Sequence, residues 1–273
     1  MKLASIHLYP IKSTRGHDVT TARVEPWGLA GDRRFLVTSD DGTMLTARKH
    51  PRLFTCLAEL GDGALTLTGP HAAPLRVALT PSPSLRTVSV WDTPVDVTDC
   101  GDEAAAWLSS LLDTPARLVW LDDPTRRAVD PLYGMPDDRV MLADGFPLLL
   151  ASTASVDRLN DWIAEDAVER GEELPEPLPI SRFRPNVVVS GVEEAFAEDR
   201  WKRIRIGEVE FRVASGCARC VMTTIDVPTL EKGKEPLRVL AKHRRWDGKV
   251  WFGMNLIPDT TGTIHQNDPI TIL

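Results

Sequence analysis

The chain has 273 residues, enough for one large domain or two smaller ones with a well-buried core. Lys and Arg total 32 against 39 Asp and Glu, and the formal net charge of −7 argues against a general nucleic-acid-binding protein. No apolar run is long enough to cross a membrane, and the N-terminus lacks the apolar core of a signal peptide. We therefore expect a cytoplasmic protein with neither a nucleic-acid nor a membrane partner.

Short strands and turns are predicted over the first hundred residues. Asp41-Gly42 and Asp62-Gly63 each lie between two strand-like arms, which is the sequence pattern of a β-hairpin. Residues 87–99 predict another pair of short strands. Many short strands with regular turn signals are typical of a small barrel or sandwich.

Three helices are predicted further along the chain. Residues 102–113 and 155–169 have apolar side chains at helical spacing, and residues 235–245 form a shorter segment of the same kind. Ser152 or Thr153 is placed in the turn before the second helix. The remaining segments are rich in β-branched residues, so the sequence predicts a mostly β fold with a few helices (α+β).

Four cysteines are too few for a disulfide framework in a chain of this length, and we expect reduced thiols. Cys217 and Cys220 form a C-x-x-C motif with four possible roles. A zinc site would need two further ligands, yet Cys56 and Cys100 stand alone. A dithiol redox pair usually opens a helix, whereas β-type sequence follows here. The motif can also be two packing residues, or one thiolate that binds a soft transition metal within a larger cofactor.

A second group of candidates consists of basic and hydroxyl residues near the ends of predicted strands. Arginine binds phosphate through a two-pronged hydrogen-bonding geometry, so such residues suit an anionic ligand. Solvated surface cations are the ordinary alternative. The group comprises Lys12, Ser13, Arg33, Arg34, Arg182, Arg184 and Arg219.

Several segments of the chain form a recognisable series when they are read in order: YPIKS, GDRRF, TARKHPRL, FRPNVVVSG, CARCVMTTIDV, FGMNLI and GTIHQNDPITIL. Together they resemble MOSC-domain proteins. The resemblance is to the two-part group that includes the mitochondrial amidoxime-reducing component and its bacterial relatives, and it extends from Leu3 to Leu273. It implies a MOSC N-terminal β-barrel-like domain over residues 1–115 and a MOSC β-barrel domain that binds molybdenum cofactor over residues 116–273.

The resemblance implies a molybdenum cofactor (Mo-molybdopterin), in which pterin dithiolene sulfurs hold the metal and a protein cysteine adds one more sulfur. The second cysteine of the family motif falls on Cys220, which is thus the implied metal ligand, and Cys217 is implied to be a packing residue. Asn255 stands near the cofactor by analogy, where relatives have an aromatic residue. The other implied cofactor-binding residues are Lys12, Ser13, Arg33, Ser152, Thr153, Arg184, Asn186 and Arg219.

The implied activity is reduction of N-hydroxylated compounds (amidoximes, hydroxylamines and N-hydroxylated bases) by removal of oxygen at molybdenum, a form of N-reductive detoxification. Cys220 is the implied catalytic ligand, and Asp226 is a candidate for supporting the metal site or handling a proton. No cysteine run follows Cys220, so we expect a separate electron donor: a ferredoxin, a flavin reductase or a cytochrome-type protein. The alternatives are a non-catalytic carrier of the cofactor or sulfur-transfer protein, and a structural or zinc-binding β protein.

Overall fold

Strands make up much of the chain in the computed structural model, which describes residues 1–70, 72–82 and 84–273. The strands of the first half are β1 (Lys2–Leu8), β2 (His17–Val19), β3 (Thr21–Glu25), β4 (Gly28–Leu29), β5 (Phe35–Thr38), β6 (Leu57–Gly61), β7 (Ala64–Gly69), β8 (Ala72–Ala78), β9 (Arg86–Val90), β10 (Thr93–Asp99) and β11 (Arg117–Trp120). The strands of the second half are β12 (Leu148–Ser152), β13 (Val187–Ser190), β14 (Arg203–Ile206), β15 (Val209–Ala218), β16 (Arg245–Trp246), β17 (Lys249–Pro258), β18 (Gly262–His265) and β19 (Ile270–Ile272). The α-helices are α1 (Asp102–Leu112), α2 (Thr153–Glu169) and α3 (Leu237–His243). The mostly β, α+β fold class is confirmed.

The chain folds into two compact units, each built from separate stretches of sequence. The N-terminal unit comprises Leu8–His17 and Trp27–Pro147, and the C-terminal unit comprises Met1–His7, Asp18–Pro26 and Leu148–Leu273. The division at residue 115 stays a prediction. Within the described ranges, no helix is both long and apolar enough to span a membrane.

The N-terminal unit contains two small antiparallel sheets and helix α1. One sheet has the order β5-β11-β10-β9 and the other has the order β6-β7-β8. The Asp62-Gly63 hairpin is confirmed, because both residues adopt the positive φ that a two-residue turn requires. The Asp41-Gly42 turn also closes a short hairpin, in which Thr38 forms an antiparallel bridge with Met44 and the Leu45 backbone N–H donates to the Val37 carbonyl at 2.9 Å. Its second arm is limited to this bridge, and β5 pairs along its length with β11. One core cluster of this unit consists of Leu36, Val88, Val90, Val95, Val97, Val119, Leu121, Met141 and Leu142.

The C-terminal unit is built on one large sheet, ordered β19-β14-β15-β17-β12-β13-β1-β2. Strands β12 and β13 run parallel, whereas β17 is antiparallel to both β12 and β15. Helix α2 begins two residues before the predicted start, because the Ser152 hydroxyl accepts a hydrogen bond from the Ser155 backbone N–H at 3.2 Å. The apolar side chains around α2 and α3 are Ala151, Val156, Leu159, Ile163, Phe183, Val239, Leu240 and Phe252.

A bulge in β17 sets how this strand meets β15. Gly216 pairs with Met254, but Ala218 pairs with Trp251, so β17 carries one extra residue between these two pairs. Gly253 lies in that interval with φ of +78°, and a Cβ at this position would lie 2.7 Å from the Leu150 carbonyl oxygen. Glycine is therefore required there both by the backbone conformation and by the close approach of β12.

Candidate functional site

The C-x-x-C motif lies where β15 ends in the C-terminal unit. Cys217 is in the strand, and Cys220 follows in an extended conformation with φ of −130° and ψ of 178°. Between them, the Arg219 backbone N–H donates to the Val250 carbonyl at 2.7 Å, which keeps this segment beside β17. Thr223 then donates its backbone N–H and its hydroxyl to the Cys220 carbonyl, at 3.1 and 3.0 Å. These bonds fix the backbone on both sides of Cys220.

The surroundings of the cysteines separate the four possible roles of the motif. Three residues of extended chain span about 10 Å, which exceeds the Cα separation that a disulfide tolerates, so this geometry opposes a dithiol pair. Among the residues that the structure describes, no three His, Cys, Asp or Glu side chains are grouped as zinc ligands. Burial raises the pKa of Cys56 to about 12, as expected of an inert packing thiol, whereas Cys217 and Cys220 are only half-buried. The geometry therefore favours a packing role or a thiolate ligand over the zinc and dithiol roles.

Arg219 provides a buried hydrogen-bond donor close to the two thiols. Its Nη1 lies 2.9 Å from the Cys217 Sγ, and its Nη2 donates to the Phe183 carbonyl at 2.8 Å. Its Nε is buried and has no hydrogen-bond partner within the described part of the chain. A buried guanidinium N–H without an acceptor is costly, and an oxygen of an anionic ligand would satisfy it. This side chain fits a phosphate group, which the molybdenum cofactor implied by the resemblance carries on its pterin.

Arg184 and Asn186 flank Pro185 just before β13, but they have different surroundings. Arg184 adopts a left-handed backbone with φ of 55°, and its side chain is half-buried. Asn186 is 1% exposed, and its side chain accepts from the Leu149 backbone N–H at 3.1 Å and donates to the His7 carbonyl at 3.2 Å. These bonds give Asn186 a structural role between β12 and β1, and its contact with a cofactor stays a prediction.

Ser152 and Thr153 form the turn into α2, where they also differ in access. Ser152 is fully buried and donates its hydroxyl to the Glu198 carboxylate at 3.1 Å, while Ser155 donates to the same carboxylate at 2.7 Å. Burial raises the pKa of Glu198. Thr153, the first helical residue, is half-buried and is the more accessible of the two predicted hydroxyls. Sequence reasoning missed Glu198, because nothing in the sequence around this short 3-10 turn, Ala197–Arg200, indicates that the glutamate is buried.

Asn255 and Asp226 both form side-chain hydrogen bonds within the C-terminal unit. Asn255 donates its side-chain amide to the Gly216 carbonyl at 3.1 Å, which braces β15 next to Cys217. Asp226 accepts from the Thr229 hydroxyl at 2.8 Å and from Arg182 at 2.8 Å. The Thr229 hydrogen bond and the Arg182 charge lower the pKa of Asp226. A group that exchanges protons near neutral pH needs a higher pKa, so the geometry favours a positioning role for Asp226.

Lys12, Ser13 and Arg33 lie in the N-terminal unit. Lys12 is 6% exposed and forms an ion pair with Asp144, and burial lowers its pKa. Ser13 is also buried and has a φ of 69°. Arg33 donates to Asp32 at 2.6 Å, and its guanidinium carbon lies 4.5 Å from the Tyr9 ring centre. Lys12 and Arg33 are therefore held by neighbours within their own unit.

Other residues of this unit extend the cationic cluster around Asp144, and sequence reasoning did not single them out. The Asp144 side chain is 62% exposed, lies 3.6 Å from Arg48 and accepts from the Trp91 indole at 3.1 Å. Arg127 is buried and donates to the Ala143 carbonyl at 2.7 Å, and burial lowers its pKa to about 10. Arg48 belongs to the TARKHPRL segment, so a signal existed for it, whereas nothing in the sequence marks Arg127 as buried.

Comparison with known proteins identifies the family. The chain matches the MOSC N-terminal beta barrel domain over residues 1–115 and the MOSC domain over residues 137–271. It is 33% identical over 291 aligned residues to mitochondrial amidoxime-reducing component 1 of Mus musculus, which covers 99% of this chain and 82% of that protein. The chain belongs to the MOSC family. The protein of the same name from Danio rerio is 35% identical to this MOSC protein over 279 residues, covering 96% and 82% of the two chains.

A second kind of relative links this MOSC protein to molybdenum cofactor. It is 35% identical over 269 residues to molybdenum cofactor sulfurase of Danio rerio, covering 93% of this chain and 31% of that longer protein. The family is therefore associated with molybdenum cofactor. The predicted cytoplasmic location is wrong by the same comparisons, because several relatives are named as mitochondrial components.

Proposed function

We propose that this MOSC protein binds molybdenum cofactor and reduces N-hydroxylated compounds such as amidoximes, hydroxylamines and N-hydroxylated bases. The observation that carries the proposal is a half-buried Cys220 thiol that directly follows Arg219, whose buried Nε has no acceptor in the described part of the chain. One thiol suits a metal whose other sulfur ligands come from a pterin, and the guanidinium suits the phosphate of that pterin. The resemblance to amidoxime-reducing components supports the reaction.

The C-terminal unit carries the residues on which this proposal rests. In the C-terminal unit, Cys220 would bind the metal, and Arg184 and Arg219 would hold oxygens of the phosphate. Lys12 and Arg33 of the N-terminal unit, which form ion pairs with Asp144 and Asp32, stay predicted cofactor-binding residues. When bound, the cofactor supplies the two-electron reduction that breaks the N–O bond.

The chain's own residues orient the site. Asn255 and Asp226 hold backbone and side chains in place through the bonds described above. The net reaction consumes two electrons and two protons and releases the parent amine or amidine and water. We propose that the electrons come from a separate donor protein of the ferredoxin, flavin reductase or cytochrome type, and that the role is N-reductive detoxification.

An anaerobic assay of benzamidoxime with reduced methyl viologen tests this function without requiring the natural donor. The protein comes from a host that makes molybdenum cofactor, beside Cys220→Ser and Cys217→Ser variants. We expect benzamidine from the wild type, none above background from Cys220→Ser, and most of the activity in Cys217→Ser. Full activity in Cys220→Ser would refute the ligand assignment, and no product from cofactor-loaded wild type would refute the reaction.

The second candidate function is a non-catalytic carrier of the cofactor or a sulfur-transfer protein. The identity with molybdenum cofactor sulfurase over 93% of this chain favours it. A carrier would bind the cofactor yet give no benzamidine with any reductant. A carrier would instead pass the molybdenum cofactor to an apo-enzyme of another molybdenum family. In a transfer assay, we would then expect the wild type to activate that apo-enzyme and Cys220→Ser to leave it inactive.

A further inference from the structure

A rigid hairpin beside the C-x-x-C segment holds an exposed tryptophan. The Trp246 hairpin (residues 245–251) joins β16 to the start of β17 through Asp247 and Gly248. Both turn residues have positive φ, of 51° and 70°, which is the conformation of a tight two-residue hairpin turn. Trp246 is 44% exposed, an unusual position for so large an apolar side chain on a structured element.

The exposed ring is held in place rather than left to rotate. The Trp246 and Trp251 rings stack with centres 5.8 Å apart and planes 16° apart, and the Trp251 indole donates to the Trp246 carbonyl at 3.0 Å. The Arg244 guanidinium carbon lies 4.8 Å from the Trp246 ring centre. A fixed, exposed tryptophan flanked by arginine is typical of a residue that anchors a protein interface.

The same hairpin contacts the segment that presents Cys220. Trp251 is the cross-strand partner of Ala218, and its ring is packed so closely on Gly216 that a Cβ there would lie 3.1 Å from the ring. The neighbouring residue Val250 accepts the backbone N–H of Arg219, next to Cys220. Two stacked indoles therefore connect an exposed surface with the strand that ends at the candidate metal ligand.

The charge of the hairpin points to the chemistry of a partner. Arg245 and Lys249 are exposed on either side of Trp246, and neither forms an ion pair with any residue that the structure describes. Asp247 is the single acid in residues 245–251. The net charge of the chain is −7, but this basic edge would attract an acidic partner protein and repel a basic one.

We propose that the Trp246 hairpin is the docking surface for an acidic one-electron carrier protein that reduces this chain. The inference rests on the proposed function, because the reduction R–NHOH + 2 H⁺ + 2 e⁻ → R–NH₂ + H₂O requires two electrons from outside. Two reduced carrier molecules each lose one electron per turnover, and the substrate nitrogen gains both. Trp246 is the apolar anchor of this interface, and Arg245 and Lys249 form its charged rim.

The test compares two electron sources in the cofactor-loaded protein. Reduced methyl viologen needs no docking surface, whereas an acidic [2Fe–2S] ferredoxin and an acidic cytochrome do. A basic cytochrome is the control for the sign of the carrier's charge. The variants are Trp246→Ala, Trp246→Phe and the double change Arg245→Glu with Lys249→Glu. The matched control is Lys202→Glu, which changes an exposed lysine directly before β14.

We expect at least one acidic carrier to drive amidoxime reduction, with a second-order rate that falls about tenfold in Trp246→Ala and in the double charge reversal. Trp246→Phe and Lys202→Glu should keep the wild-type rate, and methyl viologen should drive all variants equally. High salt should remove the difference between wild type and the double reversal, since screening removes the steering charge. Unchanged carrier-driven rates in both hairpin variants, or turnover with methyl viologen but with neither acidic carrier, would overturn the proposal.

A binding measurement separates failure of docking from failure of the proposed function. Fluorescently labelled oxidised ferredoxin and labelled acidic cytochrome are titrated into each variant, with no substrate and no turnover. Affinity for at least one of them that is lost in Trp246→Ala supports docking even if methyl viologen gives no benzamidine, an outcome that refutes only the reaction. If Trp246→Ala instead converts a dimer into a monomer in light scattering, the hairpin joins two copies of this chain and the docking proposal is wrong.

Discussion

Replacing Asn186 with alanine should destabilise the protein even when no cofactor is present. The side chain is buried and accepts from the Leu149 N–H while donating to the His7 carbonyl, so its loss leaves a buried donor and a buried acceptor with one partner fewer. An unsatisfied buried polar group costs about 1–3 kcal/mol, and two of them in partly relaxed surroundings cost about 2–4 kcal/mol. A residue that only contacts cofactor would show no such cost in the cofactor-free protein.

The assay is urea unfolding of protein made in a host that cannot synthesise the cofactor. Asn186→Ala should lower the midpoint without changing the denaturant slope, and it should lower the melting temperature by about 5–10 °C. Asn255→Ala is the matched control, because this amide is only half-buried and water can replace its bond to Gly216, so it should cost less than about 1 kcal/mol. If Asn186→Ala unfolds within about 0.5 kcal/mol of wild type, the structural role assigned to Asn186 is wrong.

Three further changes test other parts of the account. Gly253→Ala should destabilise the protein by about 2–4 kcal/mol in thermal unfolding, since its Cβ would meet the Leu150 carbonyl oxygen. The control is Gly248→Ala, which also has a positive φ but has open space around it and should cost about 1 kcal/mol. Equal losses of stability in the two variants would argue against the close contact at Gly253. Burial raises the pKa of Glu198, so the folded state binds that proton more tightly and this contribution to stability is lost as pH rises through the folded-state pKa. Glu198→Gln should therefore gain stability relative to wild type between acid and neutral pH in urea titrations, and a difference that does not vary with pH would contradict this assignment. Asp226→Asn should lower kcat less than about tenfold, because the low pKa of Asp226 suits an ion pair, and a loss of about 10²–10⁴-fold would restore the proton-handling role.

Local sequence patterns predicted those parts of the fold that form through contacts between residues close together in the sequence. The Asp62-Gly63 turn forms its hairpin because β6 and β7 are adjacent, and helix α1 follows its own apolar spacing. The same dipeptide at Asp41-Gly42 closes a shorter hairpin with the single antiparallel bridge of Thr38 to Met44, and the longer pairing of β5 is with β11, some eighty residues away. The Asp247-Gly248 hairpin was not predicted, since the residues before it continue a helical pattern.

Only those features of the candidate site that depend on residue type and order could be predicted from the sequence. The motif around Cys220 and the basic residues near strand ends were visible in the sequence. The hydrogen bonds of Asn186 could not be predicted from the sequence, because they join it to His7, 179 positions away, and to Leu149, 37 positions away. Burial of Glu198 was equally hidden, because it arises from packing against the start of α2.

The central claim is that Cys220 holds molybdenum, and metal content tests it most directly. Molybdenum and zinc are quantified by mass spectrometry in wild type, Cys217→Ser and Cys220→Ser from a molybdenum-replete host that makes the cofactor. We predict about one molybdenum per chain in wild type and in Cys217→Ser, and little in Cys220→Ser. Stoichiometric zinc, or molybdenum equally retained in Cys220→Ser, would contradict the assignment of Cys220 as the molybdenum ligand.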